Sequence, residues 1–245
     1  MVSRTSLVIF LLTILITLVC VRSCSTIAQA DNGFDLSNAS ISKNEILPGG
    51  PPRDGIPAID KPNFLKPWQV GGLDDSEHVL SLTIGDVTRA YPIAILNWHE
   101  IVNDQINGQP VVISYCPLCG TGMAFSAQVN GQALQFGVSG LLYNSDVLLY
   151  DRATESLWSQ LKTESVSGPM VGKKLQMLPL NQMTWGQWKA KFPEGDVLSR
   201  ETGYLRNYDA SPYGHYDESP VIYFPVEFLS RAYHPKERVL GIEVD

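Results

Sequence analysis

The sequence has little cysteine and no clustered positive charge. Its 245 residues include only four cysteines, and two of these, Cys20 and Cys24, lie close to the N-terminus. A scaffold held together by many disulfides is therefore excluded. The formal net charge is −7 and no extended run of lysine or arginine occurs, so a surface that follows nucleic-acid phosphates is excluded as well.

Several cofactor motifs are also missing. The chain contains no glycine-rich phosphate loop, no His-Glu-x-x-His sequence and no Cys-x-x-Cys-His sequence. These absences exclude the usual nucleotide-binding loop, the common zinc-protease helix and covalently attached haem. The motifs therefore leave the cofactor unknown.

The N-terminus carries a targeting signal. Arg4 precedes an apolar run at residues 7–21, and Ala28-Gln29-Ala30 has the small-x-small pattern of a cleavage site. We interpret residues 1–30 as a signal peptide or an N-terminal membrane anchor; lipidation of Cys24 is a third reading, against which Arg22 counts. In each case the rest of the chain is expected outside the cytoplasm. Removal of Arg4 and Arg22 would take the net charge from −7 to −9.

The remaining chain divides into an arm and one domain. Residues 31–75 form an arm rich in proline and glycine, and its apolar side chains, including Ile59 and Trp68, indicate that it packs on the domain. Residues 76–245 have enough apolar material for a single β-rich domain. The octad at residues 237–244 resembles that at 77–84, which predicts either a last strand at the edge of a sheet or the first strand of a second hairpin that longer relatives would have; a coincidence between two β-rich octads is the alternative.

Short strands separated by turns dominate this domain. Asn107-Gly108 and Asn130-Gly131 each lie between two strand patterns, and this dipeptide is the strongest signal for a two-residue hairpin. Two short helices are predicted, one beginning near Pro92 and one capped by Thr184. The fold class is therefore mainly β (α+β), an antiparallel sheet or a barrel-like or sandwich-like domain with a few short helices.

The motif that carries chemistry is Cys116-Pro117-Leu118-Cys119-Gly120. One predicted strand runs into Cys116 and another leaves after the motif, so the cysteines should lie in a tight turn between strands. In such a turn the amides of Leu118, Cys119 and Gly120 are expected to face the first sulfur and to stabilise its thiolate.

The same turn also has the sequence of half a zinc ribbon, and a complete ribbon needs two halves. Only one is present, so a metal would need another ligand, and the chain has four histidines: His78, His99, His215 and His234. His99 is the best placed, because it lies one hairpin before the cysteines.

His99 and Glu100 lie in a polar and aromatic cluster, residues 97–104. An exposed position at the end of a helix is the simpler interpretation of His99, but a histidine near two thiols can act as a base or as a metal ligand. A second polar group, residues 143–146, is interpreted as a hairpin loop. The tyrosine-rich residues 204–220 are interpreted as a surface loop, with a binding rim as the alternative.

Five stretches of the chain resemble the prokaryotic domain-of-unknown-function family 3179 (DUF3179). They are GGPPRDGIPAID, RAYPIAILNWHEIVND, YCPLCGTG, FGVSGLLYNSDVLLYDRATESLWSQ and HPKERVLGIEV. The resemblance covers nearly all of residues 45–245. Some members are described as selenoproteins, which implies selenocysteine within the motif that corresponds to residues 116–119. That implication favours redox chemistry or soft-metal binding over a structural clip.

Three hypotheses follow for the function. The first is an exported thiol/disulfide oxidoreductase that uses Cys116 and Cys119, with His99 or Glu100 moving the proton. The second is an extracytoplasmic Cu(I) or Zn binding protein with Cys116, Cys119 and His99 as ligands. The third is a structural or interaction domain with a static disulfide. A redox or metal-delivery protein is the expected partner, and contact with a membrane is expected only through the N-terminal segment.

Overall fold

The computed structural model describes residues 31–239, and these form a domain made mostly of short strands. The strands are β1 (Ile46–Pro48), β2 (Phe64–Leu65), β3 (His78–Ile84), β4 (Val87–Pro92), β5 (Ile101–Ile106), β6 (Gln109–Cys116), β7 (Thr121–Ser126), β8 (Gln128–Val129), β9 (Gln132–Ala133), β10 (Phe136–Tyr143), β11 (Asp146–Asp151), β12 (Leu157–Ser159), β13 (Glu164–Ser167), β14 (Met177–Leu178), β15 (Leu180–Thr184) and β16 (Asp196–Leu198). The helices are α1 (Ile93–His99) and α2 (Trp185–Lys191), with short 3-10 turns at Lys43–Glu45 and Pro67–Gln69.

The strands form open sheets. Two sheets have five strands, in the orders β1-β10-β11-β12-β13 and β15-β3-β4-β16-β2; a third has the order β14-β7-β6-β5, and β8 pairs with β9. Pairing between the named strands is antiparallel except between β4 and β16. The predicted mainly β, antiparallel fold is confirmed. Within residues 31–239 no sheet closes into a barrel, since each has two edge strands.

The two Asn-Gly hairpins are confirmed. Asn107 and Gly108 join β5 to β6 with φ angles of 49° and 77°, and Asn130 and Gly131 join β8 to β9 with 51° and 79°. Both central residues of such a turn need positive φ, a backbone region that asparagine and glycine tolerate. Local turn chemistry therefore fixes the register of these strand pairs.

The helices also begin where the sequence predicts. Helix α1 has Pro92 as its N-cap. Helix α2 starts after Thr184, whose hydroxyl accepts a hydrogen bond from the Gln187 amide at 3.4 Å, while the Gln187 side chain accepts from the Thr184 amide at 3.3 Å. This reciprocal pair is a capping box. The helix buries Trp185 and Trp188 against the sheet that contains β3.

Replacing Thr184 with alanine should lower the free energy of unfolding by about 1 kcal/mol, because one amide at the start of α2 loses its partner. Urea unfolding followed by tryptophan fluorescence measures the change, since Trp185 and Trp188 lie in this helix. Thr184→Ser keeps the hydroxyl and serves as the control. Equal losses in both variants would show that the cap is not the cause.

The arm at residues 31–75 contributes strands to the sheets. Strand β1 pairs with β10, and β2 pairs with β16. Ile59 is 1% exposed and forms a parallel bridge with Val102 of β5, whereas Trp68 is 67% exposed. The arm is therefore hydrogen-bonded to the domain through its backbone. Ile56 packs against the apolar cluster that contains Cys116, and Pro51 lines the same pocket as Leu118.

The C-terminal segment of the described residues, 199–239, contains no helix or strand. It is joined to the domain by a backbone hydrogen bond from the Ser199 amide to the Asn63 oxygen at 2.8 Å and by hydrogen bonds that involve side chains, and two of its tyrosines, Tyr208 and Tyr216, are buried. The predicted signal peptide or anchor at residues 1–30 lies outside the described residues, as does most of the predicted last strand. Residues 31–239 include no helix long and apolar enough to cross a membrane.

Candidate functional site

Cys116 and Cys119 lie in the turn between two long strands, as the sequence predicts. Cys116 is the last residue of β6 and is 1% exposed, in an apolar cluster with Val112, Phe125 and Trp158. Cys119 lies in the turn before β7 and is exposed. Both are free thiols. The turn therefore presents one buried sulfur and one accessible sulfur.

Asp146 joins these two cysteines from a different sheet. It is the first residue of β11 and is 2% exposed, and the preceding Asn144 and Ser145 form the hairpin turn with φ angles of 55° and 65°. The Cys119 thiol donates to its Oδ1 at 3.3 Å. One oxygen of Asp146 and the two sulfur atoms all lie within 4.8 Å of one another. The site is thus a dithiol with a buried carboxyl group.

The amide of Leu161 holds this carboxyl group from the other side. It donates to Asp146 Oδ2 at 3.1 Å. Burial raises the pKa of Asp146 to about 6, although the hydrogen bonds from Leu161 and Cys119 act to lower it. The group is therefore mainly ionised at neutral pH and can accept a proton from the thiol that it contacts.

The electrostatics of Cys116 differ from the sequence-based expectation. Burial raises the pKa of its thiol well above the ordinary range, and Cys119 and the carboxyl groups of Asp146 and Glu100 add to the rise. The expected stabilisation of a Cys116 thiolate by the turn amides is not found: within the described residues no amide of the turn donates to its sulfur, and burial is the largest cause of the shift in its pKa. Cys116 is therefore the less reactive thiol of the pair.

The structure places His99 away from the sulfur atoms. This last residue of α1 is buried; its Nδ1 lies 2.7 Å from the Pro57 carbonyl oxygen and its Nε2 lies 2.7 Å from the Tyr208 hydroxyl. Because a carbonyl only accepts, Nδ1 carries the proton and Nε2 accepts from Tyr208. Burial also lowers the pKa of His99, which favours this neutral form. The ligand group beside the cysteines contains Asp146 and not His99.

Glu100 lies between the cysteine turn and the C-terminal segment. It is 5% exposed with a φ of 57°, and its backbone oxygen accepts from the Tyr115 amide at 2.7 Å. Its Oε1 accepts a hydrogen bond from the Tyr213 hydroxyl at 2.8 Å. Burial raises the pKa of Glu100 to about 7; the Tyr213 hydrogen bond lowers it, and the charge of Asp146 raises it further. Glu100 therefore gains or loses its proton in the neutral pH range.

Glu100 and Tyr213 also line a pocket of about 460 Å³ beside the turn. Leu118, which lies between the two cysteines in the sequence, forms part of the wall. The arm, strands β10 and β11 and the C-terminal segment supply the rest, namely Gly49, Pro51, Ile56, Val138, Gly140, Leu141, Leu142, Val147, Pro212, Tyr223 and Phe224.

Sequence reasoning placed the cysteines correctly and missed two of their neighbours. Asp146 was assigned to a hairpin loop; the hairpin is present, with Asn144 and Ser145 as its turn and Asp146 as the first residue of β11. Nothing in a hairpin shows which other sheet it faces. Tyr213 belongs to the tyrosine-rich stretch for which a binding rim was the alternative. His78, His215 and His234 do not belong to the ligand group found among the described residues.

Comparisons with known proteins gave one match. The family model described as "Protein of unknown function (DUF3179)" matches residues 53–245, which confirms the resemblance found in the sequence. The matched range includes both cysteines, Asp146, Glu100 and Tyr213. No curated protein and no solved structure matches the chain.

Proposed function

The chain belongs to the DUF3179 family of proteins of unknown function, and from this premise we propose that it is an exported thiol/disulfide oxidoreductase. One observation carries the proposal. The exposed Cys119 thiol donates to the buried Asp146 carboxyl group while the buried Cys116 sulfur lies within 4.8 Å of both. An accessible thiol, a base and a second thiol are the three parts that exchange requires. Export is the expectation from residues 1–30.

The difference in exposure between the two cysteines favours Cys119 as the attacking thiol and Cys116 as the resolving thiol. Asp146 takes the proton of Cys119, and the thiolate attacks one sulfur of a substrate disulfide. The substrate S–S bond breaks, a mixed disulfide forms with Cys119, and the departing sulfur takes a proton. Cys116 then loses its proton and attacks the Cys119 sulfur, which releases the second substrate thiol. The substrate gains two electrons and two protons, and the protein gains a Cys116–Cys119 disulfide; the reverse sequence oxidises a substrate dithiol.

The raised pKa of Cys116 suits the resolving role. A buried thiol that keeps its proton cannot compete with Cys119 for the substrate, and burial also prevents direct contact with a partner protein. Once the mixed disulfide has formed, Cys116 is the closest nucleophile. The order of attack is therefore set by exposure rather than by sequence order.

The test is the intact mass of the full-length protein, purified without chelator or reductant and then treated with hydroxyethyl disulfide, a small uncharged substrate. A reduced pair should become lighter by two hydrogen atoms, and mild thiols should restore the mass. A Cys116–Cys119 bond that resists mild thiols would overturn the proposal in favour of the static disulfide.

A second candidate is an extracytoplasmic Cu(I) or Zn site. The observation in its favour is the same triangle, because two thiolates and a carboxylate oxygen are suitable ligands for these ions. Three protein ligands would leave a coordination position open. A metal ion that purifies with the protein and disappears in both Cys119→Ser and Asp146→Asn would favour this function over exchange.

Asp146→Asn should slow the reaction of Cys119 with hydroxyethyl disulfide roughly tenfold at neutral pH. The loss is smaller than is usual for a positioned base because removing the negative charge also favours the thiolate. With Asp146 present, the rate should fall as the pH drops through about 6, where the carboxylate takes up its proton. This fall in rate near pH 6 should be absent in Asp146→Asn.

Stopped-flow rates across this pH range measure the effect, and Asp217→Asn, at an exposed position in the C-terminal segment, is the control. An Asp146→Asn variant that reacts faster than the wild type at every pH would show that repulsion, and not proton transfer, governs the site.

A further inference from the structure

The pocket beside the cysteine turn is built from parts that are distant in the sequence. Ile56 comes from the arm, Leu142 from β10, Val147 from β11, and Phe224 from the C-terminal segment. Leu118 links it to the cysteines. Its volume of about 460 Å³ falls within the range of sites for small organic molecules. The two cysteines are not among the described residues that line the pocket; a ligand held there would contact Leu118, which directly precedes Cys119 in the chain.

The lining limits the chemistry of such a ligand. Most of the lining side chains are aliphatic or aromatic, and the hydroxyls of Tyr213 and Tyr223 and the carboxyl group of Glu100 are the side-chain groups that can form hydrogen bonds. Tyr213 and Glu100 are already bonded to each other at 2.8 Å. The aromatic rings of Tyr213, Tyr223 and Phe224 offer surfaces on which a planar ring can pack. The pocket therefore suits a mainly apolar ring with a hydrogen-bonding oxygen.

Charge excludes many of the usual redox partners of dithiols. No lysine, arginine or histidine is among the described residues that line the pocket, and the chain carries a net charge of −7. Anionic compounds such as glutathione would meet Glu100 with no cation to balance them. An uncharged electron acceptor fits this environment better.

We propose that this pocket binds a quinone, and that the quinone oxidises the Cys116–Cys119 pair. The inference rests on the proposed thiol/disulfide function and gives that exchange a direction, toward oxidation of substrate dithiols. A quinone is planar, mainly apolar and uncharged, and its carbonyl oxygens accept hydrogen bonds. When Glu100 is protonated, the Tyr213–Glu100 pair has two hydroxyl hydrogens; one joins the two side chains and the other is left to donate to one of these oxygens.

The reaction balances with the quinone as the oxidant. The two S–H bonds of Cys116 and Cys119 break and one S–S bond forms. Two electrons and two protons leave the dithiol, and each quinone carbonyl becomes a hydroxyl, which gives the hydroquinone. Glu100 can pass one of the protons because its pKa lies near 7.

The experiment mixes the full-length protein, reduced and under anaerobic conditions, with ubiquinone-1, a short-chain quinone. Loss of quinone absorbance should accompany the loss of the Cys116 and Cys119 thiols, at one quinone per protein. Ile56→Trp, which fills the pocket, and Tyr213→Phe, which removes a donor, should each slow quinone reduction about tenfold or more, as expected for the loss of about 1.4 kcal/mol or more of binding or stabilisation. Leu205→Trp and Tyr233→Phe, at exposed positions of the C-terminal segment, are the controls that introduce the same side chains outside the pocket.

The outcomes separate this inference from the proposed function. Exchange with hydroxyethyl disulfide without any reduction of ubiquinone-1 would overturn the quinone site alone. Failure of both reactions in the wild type would overturn the oxidoreductase as well. Equal rates of quinone reduction in Ile56→Trp and Leu205→Trp, both shown to be folded by urea unfolding, would place the reaction outside the pocket and overturn the inference.

Discussion

Replacing Cys119 with serine should abolish disulfide exchange, whereas replacing Cys116 should leave a mixed disulfide that accumulates. Cys119 is the exposed thiol and the one bonded to Asp146, so its loss removes the nucleophile together with the proton transfer. The expected fall in rate is on the order of a thousandfold or more, as for enzymes that lose their nucleophile. Cys116 enters only at the second step, so its loss should spare the first.

Mass spectrometry of each variant after reaction with hydroxyethyl disulfide distinguishes the two steps. Cys119→Ser should stay unmodified, and Cys116→Ala should gain one half of the reagent at Cys119. Urea unfolding is needed for Cys116→Ala, because this residue lies in the apolar cluster with Val112 and Phe125. Modification of Cys116 in the Cys119→Ser variant, at the wild-type rate, would contradict the assigned order of attack.

The parts of this fold that could be predicted are those governed by neighbours in the sequence. Asn107-Gly108 produces its hairpin because the two residues tolerate positive φ, and Thr184 starts a helix because its hydroxyl reaches the amide three residues later. The position of the cysteine turn followed from the strand patterns on either side. Such features need no knowledge of the rest of the chain.

The site depended instead on contacts between distant segments. Asp146 reaches Cys119 across 27 positions in the sequence, and Tyr213 reaches Glu100 across 113. The burial that raises the pKa values of Cys116 and Asp146 comes from packing between sheets, which no local pattern reports. His99 is the converse case: a polar cluster along the sequence suggested that it lies beside the cysteines, and in the fold its ring nitrogens contact Pro57 and Tyr208.

Glu100→Gln should make the protein more stable at neutral and alkaline pH. Burial raises the pKa of Glu100 from its ordinary value of 4.5 to about 7, so the folded state holds this proton more strongly than the unfolded state. Stability therefore falls as the pH rises from about 4.5 through about 7, because folding must then bury a charge that the unfolded chain leaves in water. A glutamine is neutral at every pH and avoids this loss.

The rise in the pKa of Glu100 from 4.5 to about 7 corresponds to a loss of about 3 kcal/mol in the free energy of unfolding once the group is fully ionised. The gain in the free energy of unfolding should approach this value at about pH 8 and should be under about 1 kcal/mol at about pH 5, where the wild-type carboxyl group is still protonated when folded. Urea unfolding at both pH values measures it, and Glu201→Gln, at an exposed position, is the control. A gain that is equal at both pH values would assign the effect to packing rather than to ionisation.

The buried Glu100 carboxyl group lowers the stability of the fold as it ionises, so a functional role would explain its presence. The Tyr213 hydroxyl gives Glu100 one hydrogen bond, and no lysine or arginine forms an ion pair with it within the described residues. Proteins accept such costs mainly where the group takes part in function. Glu100→Gln should therefore combine its gain in stability with a loss of quinone reduction, because the amide keeps the hydrogen bond with Tyr213 but cannot transfer a proton. A variant that becomes more stable and reduces ubiquinone-1 at the wild-type rate would show that Glu100 has no part in that reaction.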